Sequence, residues 1–455
     1  MFRGKVRRVH FVGIGGTGMN GIAEVLINLG FDVTGSDLRE GPAVARLRGL
    51  GATVSVGHAS ENVESADVVV KSTAVGIDNV EVQEAIRLHI PVIRRAEMLA
   101  ELMRMKYGVA VAGTHGKTTT TSMLATVLGE AGLDPTVVIG GKLNAIGSNA
   151  RMGTGDFLVA EADESDGSFM VLSPTVAVIT NIDPEHLDHY GDFENLKRTF
   201  VEFANKVPFF GFAVVCVDHP VVQEILPKLR RRVVTYGLSR QADLRAGDLL
   251  TNGLTTGFSV LRGEDELGRV QLSMPGEHNV LNALAAITTA LELDIPFEDV
   301  VRGIDAFEGV QRRFTVRAEV AGVLIVDDYG HHPVEIRATL EGARAGFPGR
   351  RIVAVFQPHR YTRVRDLYAD FCRAFNAADH VVVTPIYAAG EKPLELPDIA
   401  TGLVAHGHRS VRTVSDLEEA VRHLGSFVSA GDVVITLGAG NVNRVCEDLA
   451  RGLGD

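Results

Sequence analysis

The 455-residue sequence predicts an α/β protein of three domains in series, with predicted ranges 1–107, 108–313 and 314–455. Three observations predict this class. The chain is longer than the size at which a single hydrophobic core usually stops growing. Short apolar runs alternate with segments of helical periodicity, which is typical of parallel sheets covered by helices. Glycine-rich turns stand between a strand and a helix in the first and second ranges.

The composition is that of an ordinary globular protein, with 45% hydrophobic residues, 22% charged residues and a formal net charge of -12. This charge argues against a nucleic-acid partner. Cys216, Cys372 and Cys446 are too far apart for a disulfide framework or a zinc site, which favours reduced thiols in the cytoplasm. No apolar run reaches spanning length, and the basic start leads into a strand rather than a signal peptide. We therefore expect a cytoplasmic protein without a membrane partner, as a monomer or weak homodimer.

The first predicted domain opens with the strand VHFVGI, the glycine turn GIGGTG at 13–18 and a helix. This G-x-G-x-x-G pattern is typical of a Rossmann-like domain, in which the helix N-terminus faces a pyrophosphate. Asp37 ends the next strand about twenty residues later, where a ribose hydroxyl could be held. NAD and UDP-sugars both carry a pyrophosphate and a ribose. The turn alone therefore leaves an NAD-dependent oxidoreductase open.

The second predicted domain carries the segment GTHGKTT, between the apolar strand GVAVAG and a long helix. Its glycines let backbone N–H groups face phosphate oxygens, Lys117 can reach the β- and γ-phosphates, and the Thr118 hydroxyl can bind Mg²⁺. Val111 stands where the usual loop has its first glycine, so the match is to a shorter variant. A P-loop ATPase-like domain is predicted, which a nicotinamide enzyme would not need. The predicted loop residues are Gly113, Thr114, His115, Gly116, Lys117, Thr118 and Thr119.

Acidic and histidine side chains follow two further strands of the second predicted domain. Glu161 begins the run EADESD after the strand DFLVA, and four acids in six residues suit a cation better than a purely structural role. Glu161 is the best metal candidate because it lies nearest the strand end. His186, in NIDPEHLD after PTVAVIT, is a candidate for a second Mg²⁺ or a phosphate oxygen.

The third predicted domain has the strands VLIVDD, RIVAVF, HVVVTP and DVVITL, which predict a second Rossmann-like sheet. The segment QPHRYTR follows RIVAVF, so it lies at the carboxyl edge of the sheet, where α/β proteins bind ligands. Arg360 and Arg363 in this segment suit a carboxylate. His331 and His332 precede Pro333, and capping of the following helix is an alternative to a role in a site.

Seven motifs occur in order over essentially the whole chain: GIGGTGM, GTHGKTTTT, EADESD, HNVLNALAA, RRF, DDYGHHPVE and QPHRYTR. Together they resemble the Mur ligases. The resemblance implies an ADP-forming ligase of peptidoglycan precursor synthesis, which joins the carboxylate of UDP-N-acetylmuramate to the amine of L-alanine through an acyl phosphate. A ligase that adds a tripeptide to the same UDP-sugar, an NAD-dependent oxidoreductase and a nucleotide switch remain alternatives. The forms GIGGTGM and QPHRYTR favour L-alanine over the tripeptide.

The resemblance also implies ATP and two Mg²⁺ ions as cofactors, with the three predicted domains holding the UDP-sugar, ATP and the amino acid in turn. The implied catalytic residues are Lys117, Glu161 and His186. His331 is a further catalytic candidate, as the base that takes a proton from the amine, because imidazole titrates near neutrality. The implied metal ligands are Thr118, Glu161 and His186. The implied ATP contacts outside the loop are His278, Asn279, Asn282, Arg313 and Asp328. The implied UDP-sugar contacts are Gly15, Gly16, Thr17, Gly18, Met19, Asp37, Ser72 and Thr73. The implied amino-acid contacts are Tyr329, His331, His359, Arg360 and Arg363.

Overall fold

The computed structural model describes residues 6–16, 18–139 and 150–454. Thr17, a predicted UDP-sugar contact, lies outside the described residues. By its contacts the chain divides into two compact units. One comprises Met1–Gly247, Val260–Gly268 and Leu281–Glu308, and the other comprises Asp248–Ser259, Arg269–Val280 and Gly309–Asp455.

The strands of the first sheet are β1 (Arg8–Val12), β2 (Asp32–Asp37), β3 (Thr53–Val56), β4 (Val68–Lys71) and β5 (Val92–Arg94). They are all parallel and lie in the order β3-β2-β1-β4-β5. Its helices are α1 (Met19–Asn28), α2 (Pro42–Gly49), α3 (Val80–Arg87) and α4 (Arg95–Arg104). The strand–glycine turn–helix order predicted for the start of the chain is confirmed.

The second sheet carries the predicted phosphate loop. Seven of its strands are β6 (Tyr107–Ala112), β7 (Thr136–Val138), β8 (Ala150–Arg151), β9 (Phe157–Glu161), β10 (Val176–Ile179), β11 (Phe212–Cys216) and β12 (Arg232–Gly237). These seven strands lie in the order β12-β11-β10-β6-β9-β7-β8, and among their pairs only β7 and β8 are antiparallel. Three strands follow: β13 (Leu244–Asn252), β14 (Thr255–Arg262) and β15 (Asp265–Leu272). The helices are α5 (Lys117–Glu130), α6 (Leu187–Tyr190), α7 (Phe193–Ala204), α8 (Pro220–Ile225), α9 (Glu277–Glu292) and α10 (Phe297–Asp305).

The strands of the third sheet are β16 (Thr315–Val320), β17 (Val323–Asp328), β18 (Ile352–Phe356), β19 (His380–Val383), β20 (Val411–Thr413) and β21 (Val433–Leu437). They lie in the order β16-β17-β21-β18-β19-β20, and only the edge pair β16–β17 is antiparallel. Its helices are α11 (Pro333–Gly346), α12 (Tyr361–Asp366), α13 (Tyr368–Phe371), α14 (Ile399–Ala405), α15 (Leu417–Phe427) and α16 (Arg444–Gly454).

The central strands of the second and third sheets are mostly apolar and buried, as expected where helices cover both faces of a sheet. Every residue of β10, β18 and β21 is buried. The predicted α/β class is confirmed in the described residues by these three mostly parallel sheets. The boundaries at 107 and 313 stay predictions, since the contacts divide the chain into two units rather than three.

Close packing beneath the first glycine turn provides a stability test. A Cβ atom at Gly35 of β2 would lie 2.6 Å from Cδ1 of Ile14 and 2.8 Å from the carbonyl oxygen of Phe11. We expect Gly35→Ala to lower the free energy of unfolding by about 1–3 kcal/mol through overpacking. Gly129→Ala is the matched control, because a Cβ there meets no atom within 4 Å. In helix α5 it should raise stability by about 0.5–1 kcal/mol. Urea denaturation measures both, and a Gly35→Ala protein as stable as its parent would contradict the packing argument.

Candidate active site

The predicted phosphate loop lies between β6 and the N-terminus of α5, where backbone N–H groups and the helix dipole favour an anion. Gly113 has φ 134° and Gly116 has φ 81°, conformations that residues with side chains rarely adopt. Space also requires glycine at both positions. A Cβ at Gly113 would lie 2.1 Å from Oγ1 of Thr180, and a Cβ at Gly116 would lie 2.2 Å from Oδ1 of Asn282. This loop conformation therefore requires glycine at both positions.

Lys117 is almost enclosed, with 13% of its side chain exposed. Its Nζ donates to the carbonyl oxygens of Gly113 (2.6 Å) and Thr114 (3.1 Å) and to Oε1 of Glu164 (3.0 Å). Burial acts to lower the pKa of Lys117, but the nearby carboxylates, Glu164 foremost, raise it above its ordinary value. Lys117 is therefore a cation that points into the loop, as binding of terminal phosphates requires.

Glu164 is the ion-pair partner of Lys117, and the sequence did not single it out. Burial raises the pKa of Glu164 to about 7; the Lys117 ammonium opposes this rise and the Asp163 carboxylate adds to it. Tyr190 donates its hydroxyl to the Glu164 carbonyl oxygen at 2.5 Å. The acidic run EADESD was the signal that could have found Glu164, because a buried lysine needs a counterion.

Two predicted metal ligands meet at the edge of the second sheet. Glu161 ends β9, which pairs with β6, and its Oε2 accepts a hydrogen bond of 2.9 Å from Oγ1 of Thr118. A hydroxyl and a carboxylate are the hard oxygen donors that Mg²⁺ prefers, so this pair fits the implied ion. His186 lies at the start of α6 with φ 57°, and its Nε2 is 3.6 Å from Oε2 of Glu185. No cluster of three or more His, Cys, Asp or Glu residues in the described ranges fits a metal ion.

The remaining predicted ATP contacts are held by the protein's own hydrogen bonds. Asn282 accepts from Oγ1 of Thr120 at 3.3 Å, and Nδ2 of Asn279 donates to the Pro275 carbonyl oxygen at 2.8 Å. The Asp328 carboxylate accepts from the backbone N–H of Phe314 at 2.8 Å, and burial raises its pKa. Contacts of these residues with ATP stay predictions.

Two further predicted ATP contacts, His278 and Arg313, lie in the second unit. Burial and the Arg313 guanidinium lower the pKa of His278 to about 4, so its imidazole is neutral at pH 7. Arg313 itself lies over the Tyr329 ring, with Cζ 5.3 Å from the ring centroid. A role for His278 and Arg313 in ATP binding stays a prediction.

The first glycine turn and the predicted ribose-binding aspartate are in direct contact. The N–H groups of Gly13 and Ile14 donate to the Ser36 carbonyl oxygen, and the N–H of Gly15 donates to Oδ2 of Asp37 at 2.9 Å. Gly18, in the left-handed region, precedes α1. Gly15 and Asp37 are therefore in direct contact, and the other Asp37 oxygen, Oδ1, accepts from the Arg39 N–H at 3.4 Å. Contacts of Gly15 and Asp37 with a ligand stay predictions.

The other predicted UDP-sugar contacts lie on the turn, helix and loop next to the same sheet. Ser72 and Thr73 follow β4, and the Ser72 N–H donates to the Val12 carbonyl oxygen at 3.2 Å. The N–H of Met19 donates to the Gly16 carbonyl oxygen, while the Met19 side chain is buried in the apolar core of the unit. A ligand contact at Met19 would therefore have to use its backbone.

Three of the predicted amino-acid-binding side chains form a row in the second unit. The ring centroids of Tyr329 and His331 are 5.2 Å apart, and those of His331 and His359 are 5.6 Å apart. The Arg363 guanidinium approaches Nδ1 of His359 at 3.4 Å. Burial, with the neighbouring His331 and Arg363 adding to it, lowers the pKa of His359 to about 4. This imidazole is neutral at pH 7.

Arg360 is engaged by a residue that the sequence did not single out. It has φ 68°, an unusual conformation for a residue with a side chain, and its Nε donates to Oε1 of Glu391 at 2.7 Å. The same carboxylate accepts from the N–H and the hydroxyl of Thr362. For His332, the capping alternative is confirmed, because its Nδ1 accepts from the Val334 N–H at the start of α11.

None of the described helices is both long enough and apolar enough to cross a membrane.

Comparison with protein families gives three consecutive matches. Residues 8–107 match the Mur ligase family catalytic domain, residues 111–290 the Mur ligase middle domain, and residues 312–440 the Mur ligase glutamate ligase domain. The sequence is 58% identical to the UDP-N-acetylmuramate–L-alanine ligase of Pelobacter propionicus over 98% of each chain. It is 56% identical to the ligase of the same name from Sorangium cellulosum, covering 100% of this chain and 98% of that one.

Solved structures give the same relationship. A UDP-N-acetylmuramate–alanine ligase from Thermotoga maritima superimposes with a TM-score of 0.81 at 31% identity, covering 98% of each chain. A murein peptide ligase from Psychrobacter arcticus gives a TM-score of 0.69 at 25% identity, covering 99% of each chain. With three family domains matched in order and relatives that are more than half identical over the full length, this chain belongs to the Mur ligase family.

Proposed function

We propose that this protein catalyses the ATP-dependent formation of an amide bond between the carboxylate of UDP-N-acetylmuramate and the amine of L-alanine. The observation that carries the proposal is the enclosed Lys117 beside the Thr118–Glu161 pair, at the end of β6 in a Mur ligase fold. The full-length relatives that bear this activity in their names support the choice of substrates.

The reaction needs activation because a carboxylate and an ammonium do not condense in water. The sugar carboxylate attacks the γ-phosphorus of ATP, the bond to the β,γ-bridging oxygen breaks, and ADP leaves an acyl phosphate behind. Lys117 and the loop N–H groups stabilise charge on the transferring phosphoryl group. Thr118 and Glu161 would hold Mg²⁺, which when bound neutralises further charge on that group. A second ion at His186 belongs to the same proposal.

The second step joins the amino acid. The free amine attacks the acyl carbon, and inorganic phosphate leaves. The amine must lose a proton, and His331 is the proposed base, with its Nδ1 3.0 Å from the Tyr329 carbonyl oxygen. Arg363, beside the neutral His359, suits the carboxylate of the amino acid. Arg360 donates to Glu391, so its proposed role is to support this pocket.

The glycine turn with Gly15, Gly16 and Asp37 is the proposed site for the UDP moiety, since a pyrophosphate suits the N-terminus of α1. The first family match ends at residue 107, the second begins at 111, and the third begins at 312. These limits support domain boundaries near 107 and 313. A cytoplasmic monomer or weak homodimer belongs to the same proposal.

An ADP-release assay tests the function. ADP should form only when UDP-N-acetylmuramate and L-alanine are both present. ADP formation with the tripeptide but not with L-alanine would instead assign the chain to the tripeptide-adding type. Hydrolysis that needs no acceptor would favour a nucleotide switch, and reduction of NAD with no ADP formed would overturn the proposal.

A further inference from the structure

The phosphate loop is held by the segment that follows the neighbouring strand β10, residues 180–183. Oγ1 of Thr180 and Nδ2 of Asn181 both donate to the His115 carbonyl oxygen, at 2.6 and 3.0 Å. In return the His115 N–H donates to Oδ1 of Asn181 at 2.7 Å, and the Thr114 N–H donates to the Asn181 carbonyl oxygen at 3.1 Å. The conformation of the loop therefore depends on a segment more than sixty residues away in sequence.

Asp183 completes this support and contacts the loop in two ways. Its N–H donates to Oγ1 of Thr114 at 2.8 Å. Its Oδ2 lies 3.3 Å from Nε2 of His115, and its Oδ1 lies 3.4 Å from Nε2 of His219, which precedes helix α8. Asp183 thus joins three elements: the loop, the end of β10 and the start of α8.

A carboxylate this close to a phosphate loop needs an explanation, because it would repel an incoming polyphosphate. Burial acts to raise the pKa of Asp183, but hydrogen bonds from His115 and His219 hold it well below its ordinary value, so the group is anionic. Both oxygens face imidazoles rather than the loop interior. The described residues also offer no cluster of His, Cys, Asp and Glu that fits a metal ion at this place.

We propose that Asp183 is a positioning residue for nucleotide binding: it fixes the His115 side chain and Thr114, so that the loop backbone keeps the shape that receives the terminal phosphates. The proposal rests on the proposed function only for the identity of the nucleotide. Asp183 acts through His115 and does not itself bind the nucleotide.

The test measures Mg-ATP binding to the full chain by calorimetry, without UDP-sugar or amino acid. Asp183→Asn should weaken Mg-ATP binding by about 10-fold to 100-fold, because small displacements of a binding group cost affinity steeply. Binding of UDP-N-acetylmuramate should stay within about 2-fold, which also shows that the variant is folded. Asp188→Asn is the matched control, since this exposed acid five residues later removes the same charge without touching the loop. It should leave both affinities unchanged.

A double-mutant cycle separates positioning from general stabilisation. His115→Gln alone should weaken Mg-ATP binding. Adding Asp183→Asn to His115→Gln should weaken Mg-ATP binding by less than a further factor of about 2, because the two residues act as one unit. His219→Gln removes one imidazole from the carboxylate; it should weaken Mg-ATP binding by a smaller factor than Asp183→Asn, and it replaces that variant in the test if Asp183→Asn does not fold.

Three results would each overturn the positioning role of Asp183. The first is an Asp183→Asn protein with unchanged affinity for Mg-ATP, and the second is an equal loss of affinity for Mg-ATP and for the UDP-sugar. The third is a double variant whose loss of Mg-ATP affinity is the full sum, in free energy, of the two single losses. If the parent protein bound Mg-ATP but released no ADP when UDP-N-acetylmuramate and L-alanine were both present, the proposed function would be contradicted, but the positioning role of Asp183 would not.

Discussion

Replacing Lys117 with methionine is expected to lower ADP formation by about 1,000-fold or more, the largest effect of any single substitution in the chain. The lysine ammonium is the one positive side chain enclosed by the described part of the loop, where it contacts the carbonyl oxygens of Gly113 and Thr114 and the Glu164 carboxylate. After its replacement, no loop side chain would offset the charge that develops on the transferring phosphoryl group.

The measurement is the steady-state rate of ADP release with saturating UDP-N-acetylmuramate and L-alanine. Lys228→Met, at an exposed position after α8, is the matched control and should retain the parent rate. A Lys117→Met protein that turns over within about tenfold of the parent would show that charge at this position is not needed for phosphoryl transfer.

Glu161→Gln is expected to lower turnover by about 100-fold and to shift the Mg²⁺ concentration needed for half-maximal rate upward by about tenfold or more. The substitution preserves the shape of the side chain and removes its charge. The amide can still accept a hydrogen bond from Thr118, so the loop should keep its conformation while the site loses affinity for the ion.

Mg²⁺ titrations of the ADP-release rate provide the readout. Thr118→Val removes the hydroxyl donor of the same pair and should act in the same direction. Glu202→Gln, on the exposed face of α7, removes an equal charge elsewhere and should change neither rate nor Mg²⁺ dependence. If Glu161→Gln lowered the rate without altering the Mg²⁺ dependence, Glu161 would act on something other than the ion.

The parts of the site that could be read from the sequence are those set by neighbours along the chain. The order of β6, glycine loop and α5 follows from an apolar run, two glycines and a helical pattern within 24 residues, 107–130. The closeness of Thr118 and Glu161 followed from a more general rule: the loop before Thr118 follows β6, Glu161 ends β9, and the carboxyl ends of adjacent parallel strands meet at one edge of the sheet. The cap formed by His332 was likewise foreseeable, because Pro333 marks the first turn of a helix.

The parts that could not be predicted are partners brought close only by the fold. Glu164 lies 47 residues from Lys117, and Glu391 lies 31 residues from Arg360, so no local pattern pairs them. The sequence offered several acids near each partner, and the register of strands β6 and β9 decides which one reaches the lysine. For the same reason the two imidazoles on Asp183 were invisible: His219 belongs to a different strand–helix connection.

Isotope transfer tests directly whether the sugar carboxylate attacks ATP at the Lys117 loop. UDP-N-acetylmuramate labelled with ¹⁸O in its carboxylate is converted with ATP and L-alanine, and the released phosphate is analysed by mass spectrometry. If the carboxylate attacks the γ-phosphorus within the Lys117 loop, one carboxylate oxygen leaves with the phosphate, and each phosphate formed from fully labelled substrate should carry a single ¹⁸O. Phosphate free of label, formed at the same rate as the amide product, would contradict the acyl phosphate and with it the role assigned to the loop.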